Sequence, residues 1–203
     1  VALLSFQDFL MLIKYVHQQY NNDEHTLLAL KNLENLEGQL NSVGKLFTNI
    51  ADKDLLFLAV LFHDIAKPIS IAGHELLGAE LVISNMEVLG YEQPEINLVN
   101  FLVKHHLTME QVAFRRNLND PQALNNFANI FPDIKYLDHL FLLTYADLSA
   151  VSPVVWTQWK SELLFELYRK TSHMLEEQRT GEELIYEKTK KLLEDSLYLE
   201  LHH

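Results

Sequence analysis

The 203-residue sequence contains no cysteine, which excludes a disulfide framework and every thiolate metal site, and makes a cytoplasmic setting the expectation. Glycine and proline are scarce, six and five residues, a composition that favours long helices over a turn-rich β fold. No apolar run approaches the roughly 20 residues needed to cross a bilayer. The first residues, Val1 to Phe6, lack the basic start and small-residue cleavage site of a secretion signal. Val1 in place of an initiator Met carries the expectation of a chain trimmed or cut from something longer. Cations are in deficit: 16 Lys and Arg against 28 Asp and Glu give a formal charge of −12. Gripping a nucleic-acid backbone requires clustered Lys and Arg, so nucleic acid is not an expected partner. A phosphate-bearing small substrate remains compatible, because bound metal ions would dominate the local charge.

What is present is apolar and periodic. At 48% hydrophobic, the chain is long enough for one well-buried domain. Helical periodicity runs through nearly all of it, and the expected fold is an all-α bundle. Residues 5–20 form one expected helix, with Phe6, Phe9, Leu10, Ile13 and Val16 on one stripe. Asp23 caps the next, in which Leu27, Leu30, Leu33 and Leu40 face inward. Asp52 or Asp54 starts a third helix, expected to be central, and Pro68 stops any continuation. Further helices are expected over 74–89, 95–105 and 134–149. Asp120 followed by Pro121 is a helix start with a mechanism, an Asp cap before proline in the first turn. Pro153 is expected to begin a long helix bearing Trp156, Trp159 and Tyr168, the tryptophans acting as core or docking residues. The sequence turns polar around 179–181, so 182–199 reads as a separate terminal helix. This divides the chain into a domain over 1–175 and an extension or linker over 176–203, with His202 and His203 as possible tag residues.

One dipeptide stands out against this background. His63 and Asp64 close the apolar run 55–62. An ionised carboxylate in an apolar setting costs several kcal/mol unless a cation accompanies it. Lys67 is the nearest cation in sequence. A bound metal serves better, since imidazole and carboxylate are ligands for Zn, Fe and Mn. The competing reading is a helix C-cap with a solvated carboxylate and a packed imidazole. Asp147 repeats the anomaly within the apolar stretch 140–151, and His25 opens an amphipathic helix. The order is therefore His25, His63–Asp64, Asp147.

This order resembles the HD-domain superfamily of metal-dependent phosphohydrolases, in which these four positions hold a metal inside a helical bundle. His74 and His106 extend the resemblance to the subgroup carrying two ions. There His74 and His106 would hold the second ion, and Asp64 would bridge the pair. The implied cofactor is a divalent metal, two ions of Mn, Fe, Mg or Zn. The text between the ligands is closer still to one family. Residues 23–26, 61–67, 77–79 and 106–109, Arg115 and Arg116 with Asp120–Pro121, Ala146–Asp147, then 156–160 and 163–168 appear in order. Over roughly 20–175 this is similar to the HD domain of the bacterial PII uridylyltransferase/uridylyl-removing family.

That resemblance implies hydrolysis of a uridylyl group from a tyrosine of a PII-type signalling protein. Within the ligand set, paired ions suit phosphoester hydrolysis by activating water and neutralising phosphate oxygens. Lys67 is placed to contact phosphate from the dyad's own turn, and Arg115 or Arg116 could do so bidentately. Surface solvation, or pairing with Asp120, is the alternative for the arginines. The chain departs from the family at 68–73, where a glycine-rich basic turn is replaced by a longer one without its arginine, and His105 stands where another polar residue is usual. A nucleotide or dinucleotide therefore stays open as substrate, as does a non-catalytic regulatory module. Neither nucleotidyltransferase nor ACT-type sequence flanks the match within these residues, so hydrolysis and not uridylyl transfer is expected of them.

Overall fold

The computed structural model describes residues 23–152 and 154–201, with side chains for 24–152 and 154–182. The helix expected over 5–20, Pro153, and His202–His203 lie outside the described residues. Helices follow one another in the order α1 (Asp23–Glu34), α2 (Ser42–Asn49), α3 (Lys53–Phe62), α4 (His74–Val88), α5 (Gln93–His105), α6 (Thr108–Arg115), α7 (Pro121–Ala128), α8 (Ile134–Ser149) and α9 (Gln158–Leu201). Among the described residues there is no strand, and the fold is all-α. No helix there is long and apolar enough to cross a membrane.

The centre is α3. Seven of its ten residues are buried, Leu55, Leu56, Leu58, Ala59, Val60, Leu61 and Phe62, so it is apolar on nearly every side and must be enclosed by other helices. α1, α5 and α8 do this, while α4 packs on α5 and α9 closes the far side against α6, α7 and α8. Burial of each such large side chain contributes about 1.5–3 kcal/mol. On α8, the buried Phe141 ring meets Tyr168 and Phe165 of α9, with centroids 4.6 and 5.9 Å apart. Gly78 lets α4 approach α5: a Cβ there would sit 3.2 Å from Val103 Cγ1.

The helix starts follow local chemistry. Asp120 Oδ1 accepts from the Gln122 amide at 3.0 Å, with Pro121 in the first turn, as expected. Asp133 Oδ1 likewise accepts from the Tyr136 amide, and Glu92 with Glu95 forms a capping box at α5. α3 begins after Asp52, whose φ of 55° lies in the left-handed region and whose carboxylate pairs with Lys135 of α8.

Four expectations need correction. α1 ends at Glu34, before Leu40 can belong to it. Leu40 is exposed while Leu36 turns inward, because the chain leaves the helical register after Glu34, and Leu27, although within α1, is on its exposed side. α2 and α6 form where no helix was expected. The last helix starts at Gln158, not Pro153, leaving Trp156 in the preceding turn, edge-on to Tyr145 at 5.5 Å, and Trp159 exposed. Finally, α9 runs unbroken through Gly181 to Leu201; one interior glycine costs about 1 kcal/mol, too little to end a long helix.

Candidate metal centre

Six side chains from five places in the chain meet beside the end of α3. His25 comes from the first turn of α1, His63 caps the C-terminus of α3, and Asp64 follows it. His74 opens α4, His106 caps α5, and Asp147 lies in the last turn of α8. They form two groups, His25–His63–Asp147 and Asp64–His74–His106, and within each the candidate ligand atoms lie within 4.8 Å of one another. His25 Nε2 is 2.6 Å from Asp147 Oδ1. His63 Nε2 stands 3.5 Å from both Asp147 Oδ1 and Asp64 Oδ2. In the second group, His74 Nε2 is 3.2 Å from Asp64 Oδ1 and His106 Nε2 is 3.7 Å from it. Asp64 thus turns one oxygen toward each group.

Backbone carbonyls fix the imidazole tautomers. His63 Nδ1 lies 2.6 Å from the Val60 carbonyl oxygen, His74 Nδ1 2.9 Å from that of Ile71, and His106 Nδ1 2.7 Å from that of Val103. A carbonyl only accepts, so each Nδ1 carries its hydrogen and each neutral ring presents an Nε2 lone pair. Those lone pairs converge. His74 and His106 place their Nε2 atoms 3.2 Å apart, and His63 Nε2 is buried without any hydrogen-bond partner. The imidazole nitrogens and two carboxylates aimed at common points repel one another unless a cation, a proton on His63 or a metal ion, stands between them. The donor set therefore fits a divalent metal, and the carbonyl contacts would be the outer partners that orient the histidines toward it.

The electrostatics agree. Burial disfavours a charged His63, yet Asp147 and Asp64 outweigh it and push the imidazole up to about 9. Burial raises Asp147 and Asp64 less than their neighbours lower them: His63 and His25 hold Asp147 below the usual carboxylate range, and His63, Lys67 and His106 do the same for Asp64. His106 is pushed down to about 4, first by burial and then by the charge on His63. His106 therefore stays neutral at pH 7, with its Nε2 lone pair free to face Asp64 and His74.

Lys67 joins the cluster, its Nζ donating to Asp64 Oδ2 at 2.7 Å while 43% of its side chain remains exposed. Arg115 and Arg116 are not brought to it. Arg115 ends α6, Arg116 caps that helix, and both are exposed. Among the described residues no hydrogen bond or ion pair links either to the six ligand candidates or to Asp120. His105 packs its ring 4.5 Å from that of Phe101 and belongs to neither group. Sequence reasoning missed the three orienting carbonyls and Glu75, whose Oε2 lies 3.8 Å from His74 Nδ1. A signal for two of them existed. His63 and His106 each cap a helix, where the preceding carbonyls lack intrahelical partners.

The turn 68–73 shapes this edge of the site. Ile69 and Ser70 amides close on the Ala66 carbonyl, and Gly73 has a φ of 77°, a conformation that favours glycine before the chain enters α4 at His74. The turn carries the Ile71 carbonyl that orients His74 and leaves the Ile69 and Ile71 side chains exposed.

Comparison with known proteins gives the same picture. The family model of the HD domain matches residues 22–140. Bifunctional uridylyltransferase/uridylyl-removing enzymes are similar: that of Acinetobacter baumannii is 34% identical over 183 residues, covering 87% of this chain and 20% of that protein. The Nitrosococcus oceani protein is 39% identical over 161 residues, 77% of this chain and 18% of the other. That of Zymomonas mobilis is 38% identical over 171 residues, 82% and 18%. The chain spans about a fifth of the length of these relatives. With the domain match covering more than half of the chain and including His25, His63, Asp64, His74 and His106, the chain belongs to the HD-domain family of metal-dependent phosphohydrolases.

Proposed function

We propose that this chain removes UMP from a uridylylated tyrosine of a PII-type signalling protein. The observation that carries the reading is the convergence of the His63, His74 and His106 lone pairs on Asp64 and Asp147, in a chain whose relatives are named for uridylyl removal. His25, His63 and Asp147 would hold one ion, His74 and His106 a second, and Asp64 would serve both. When bound, the ions would supply an activated water at neutral pH and neutralise phosphate oxygens.

The chain's own residues do the rest. The carbonyls behind the three imidazoles keep the rings from reorienting during reaction, so the ligand field is set before substrate arrives. Lys67, half exposed at the edge of the cluster, offers an ammonium to a phosphate oxygen. Arg115 and Arg116 are assigned the outer contact with substrate, where their exposure leaves them free to form a bidentate pair. A tyrosyl ester leaves as a phenolate whose conjugate acid has a pKa of about 10, so it asks little of a proton donor. The excess of acidic residues fits a folded partner over a nucleic acid.

The test is UMP release from a uridylylated PII-type protein by the metal-loaded chain. Asp64→Ala should abolish it, and a chelator should do the same reversibly. Cleavage of small nucleotides without release from the protein ester would replace this substrate with a nucleotide. Absence of any phosphoester cleavage by a fully loaded chain would favour a regulatory module.

A further inference from the structure

We propose that Lys67 occupies the oxygen of Asp64 that an ion in the His25–His63–Asp147 group would take. Loading this group then drives the ammonium off the carboxylate and frees it for substrate phosphate. The inference rests on the metal-dependent reading above. Asp64 divides its two oxygens: Oδ1 faces His74 and His106 at 3.2 and 3.7 Å, and Oδ2 is the oxygen nearest His63, at 3.5 Å. Oδ2 is also the atom to which Lys67 donates, at 2.7 Å. A divalent ion drawing on Oδ2 would share one oxygen with the lysine, and two cations that close repel.

One of them must yield, and the geometry decides which. The Asp64 side chain is only 7% exposed, whereas Lys67 is 43% exposed on a flexible four-carbon stem. The carboxylate and the imidazoles are fixed, and the lysine can swing into solvent. Without an ion, Lys67 places its ammonium directly on Asp64 Oδ2. With an ion present, that charge is redundant at Asp64, and its three donors become available to a phosphate oxygen. Metal occupancy and phosphate capture are thereby coupled through a single side chain, in that order.

Two measurements on the full chain, stripped by chelation, test this. Trace acylation with acetic anhydride, read by mass spectrometry, reports Lys67 against the exposed Lys104 as internal reference. Adding Mn²⁺ should raise the relative acylation of Lys67 several-fold as the amine leaves the carboxylate. Calorimetric Mn²⁺ titration should show Lys67→Met binding more tightly, on the order of tenfold, with Lys67→Arg close to the unsubstituted chain. Should Lys67→Met not fold by circular dichroism, the acylation result on the unsubstituted chain still decides. Mn²⁺ binding with Lys67 acylation unchanged or lowered, or with Lys67→Met no tighter, would mean the ammonium stays on Asp64 beside the ion, and the exchange is wrong. No binding of Mn²⁺ or any other divalent ion would overturn the metal-dependent reading itself, and the exchange with it.

Discussion

In the proposed metal site a proton and a metal ion would compete for the same place at His63. With no ion bound, burial works against a charged ring, but Asp147 and Asp64 prevail and hold it at about 9. The folded value is raised above the ordinary 6.5, so the stabilisation is complete below pH 6.5 and lost as pH rises through about 9. The metal-stripped chain should therefore lose thermal stability across that window. A loaded chain should lose much less, because the ion replaces the proton. Metal uptake near pH 7.5 should accordingly release protons, seen as a dependence of calorimetric heat on buffer ionisation enthalpy. Heats that do not change between buffers would mean that His63 carries no proton to displace. The residues that carry this chemistry were legible in the sequence because His63, Asp64 and Asp147 are costly where they stand, in or against apolar runs. The carbonyls of Val60, Ile71 and Val103 were not, since every residue has one and only the folded backbone says where it points. Arg115 and Arg116 were picked out by resemblance, and at the exposed end of α6 neither is tied to the six ligand candidates by a hydrogen bond or ion pair among the described residues.

Asp147 of the first group is delivered by a helix held nearer its other end. α8 carries Asp147 in its last turn, and its first half is tied to α9 by Tyr168, whose hydroxyl donates to Asp138 at 2.8 Å. Burial raises Asp138 above the usual carboxylate range despite that hydrogen bond, and burial with the neighbouring Asp138 pushes the Tyr168 phenol up as well. A carboxyl with a raised folded value contributes stability only below its unfolded value, and that contribution is lost as pH rises through the folded one. Asp138→Asn removes the burdened charge and keeps an acceptor for Tyr168. The variant should melt at or above the parent temperature at pH 7, with the advantage shrinking toward pH 4. Tyr168→Phe leaves a half-buried carboxylate without its donor and should cost about 1–3 kcal/mol in denaturant unfolding. Asp138→Asn melting well below the parent at pH 7 would show that the charge itself holds α8 in place. The strongly apolar elements α3 and α8 were readable from their apolar runs. α2 and α6, eight residues each, were not, because helices that short rest on tertiary packing more than on their own pattern.

For the whole molecule the question is how much chain the site needs. α9 covers α6, α7 and α8, and its buried contacts come early: Leu164, Leu167 and Thr171 are fully enclosed, and Leu175 packs against the core. From Glu177 to Thr180 the same helix is exposed. Sequence alone placed a break near Gly181 because polarity rises there, but polarity records only that the helix becomes exposed to solvent. Continuity is a property of the backbone, and the change of surroundings is what the composition registered. A domain closing near residue 175 is therefore still the organisation to test. A chain ending at Glu182 should keep its melting temperature and its metal stoichiometry. Leu164→Ala with Leu167→Ala in the full chain should be strongly destabilised, since each large-to-small change in a core costs about 2–5 kcal/mol against a total stability of roughly 5–15 kcal/mol. The metal stoichiometry of that double variant, measured below its melting temperature, should match the parent, because neither leucine belongs to the ligand groups. Loss of more than a few degrees on truncation at Glu182 would mean that the remaining turns of α9 belong to the domain, and the boundary near 175 would have to move to the end of the helix.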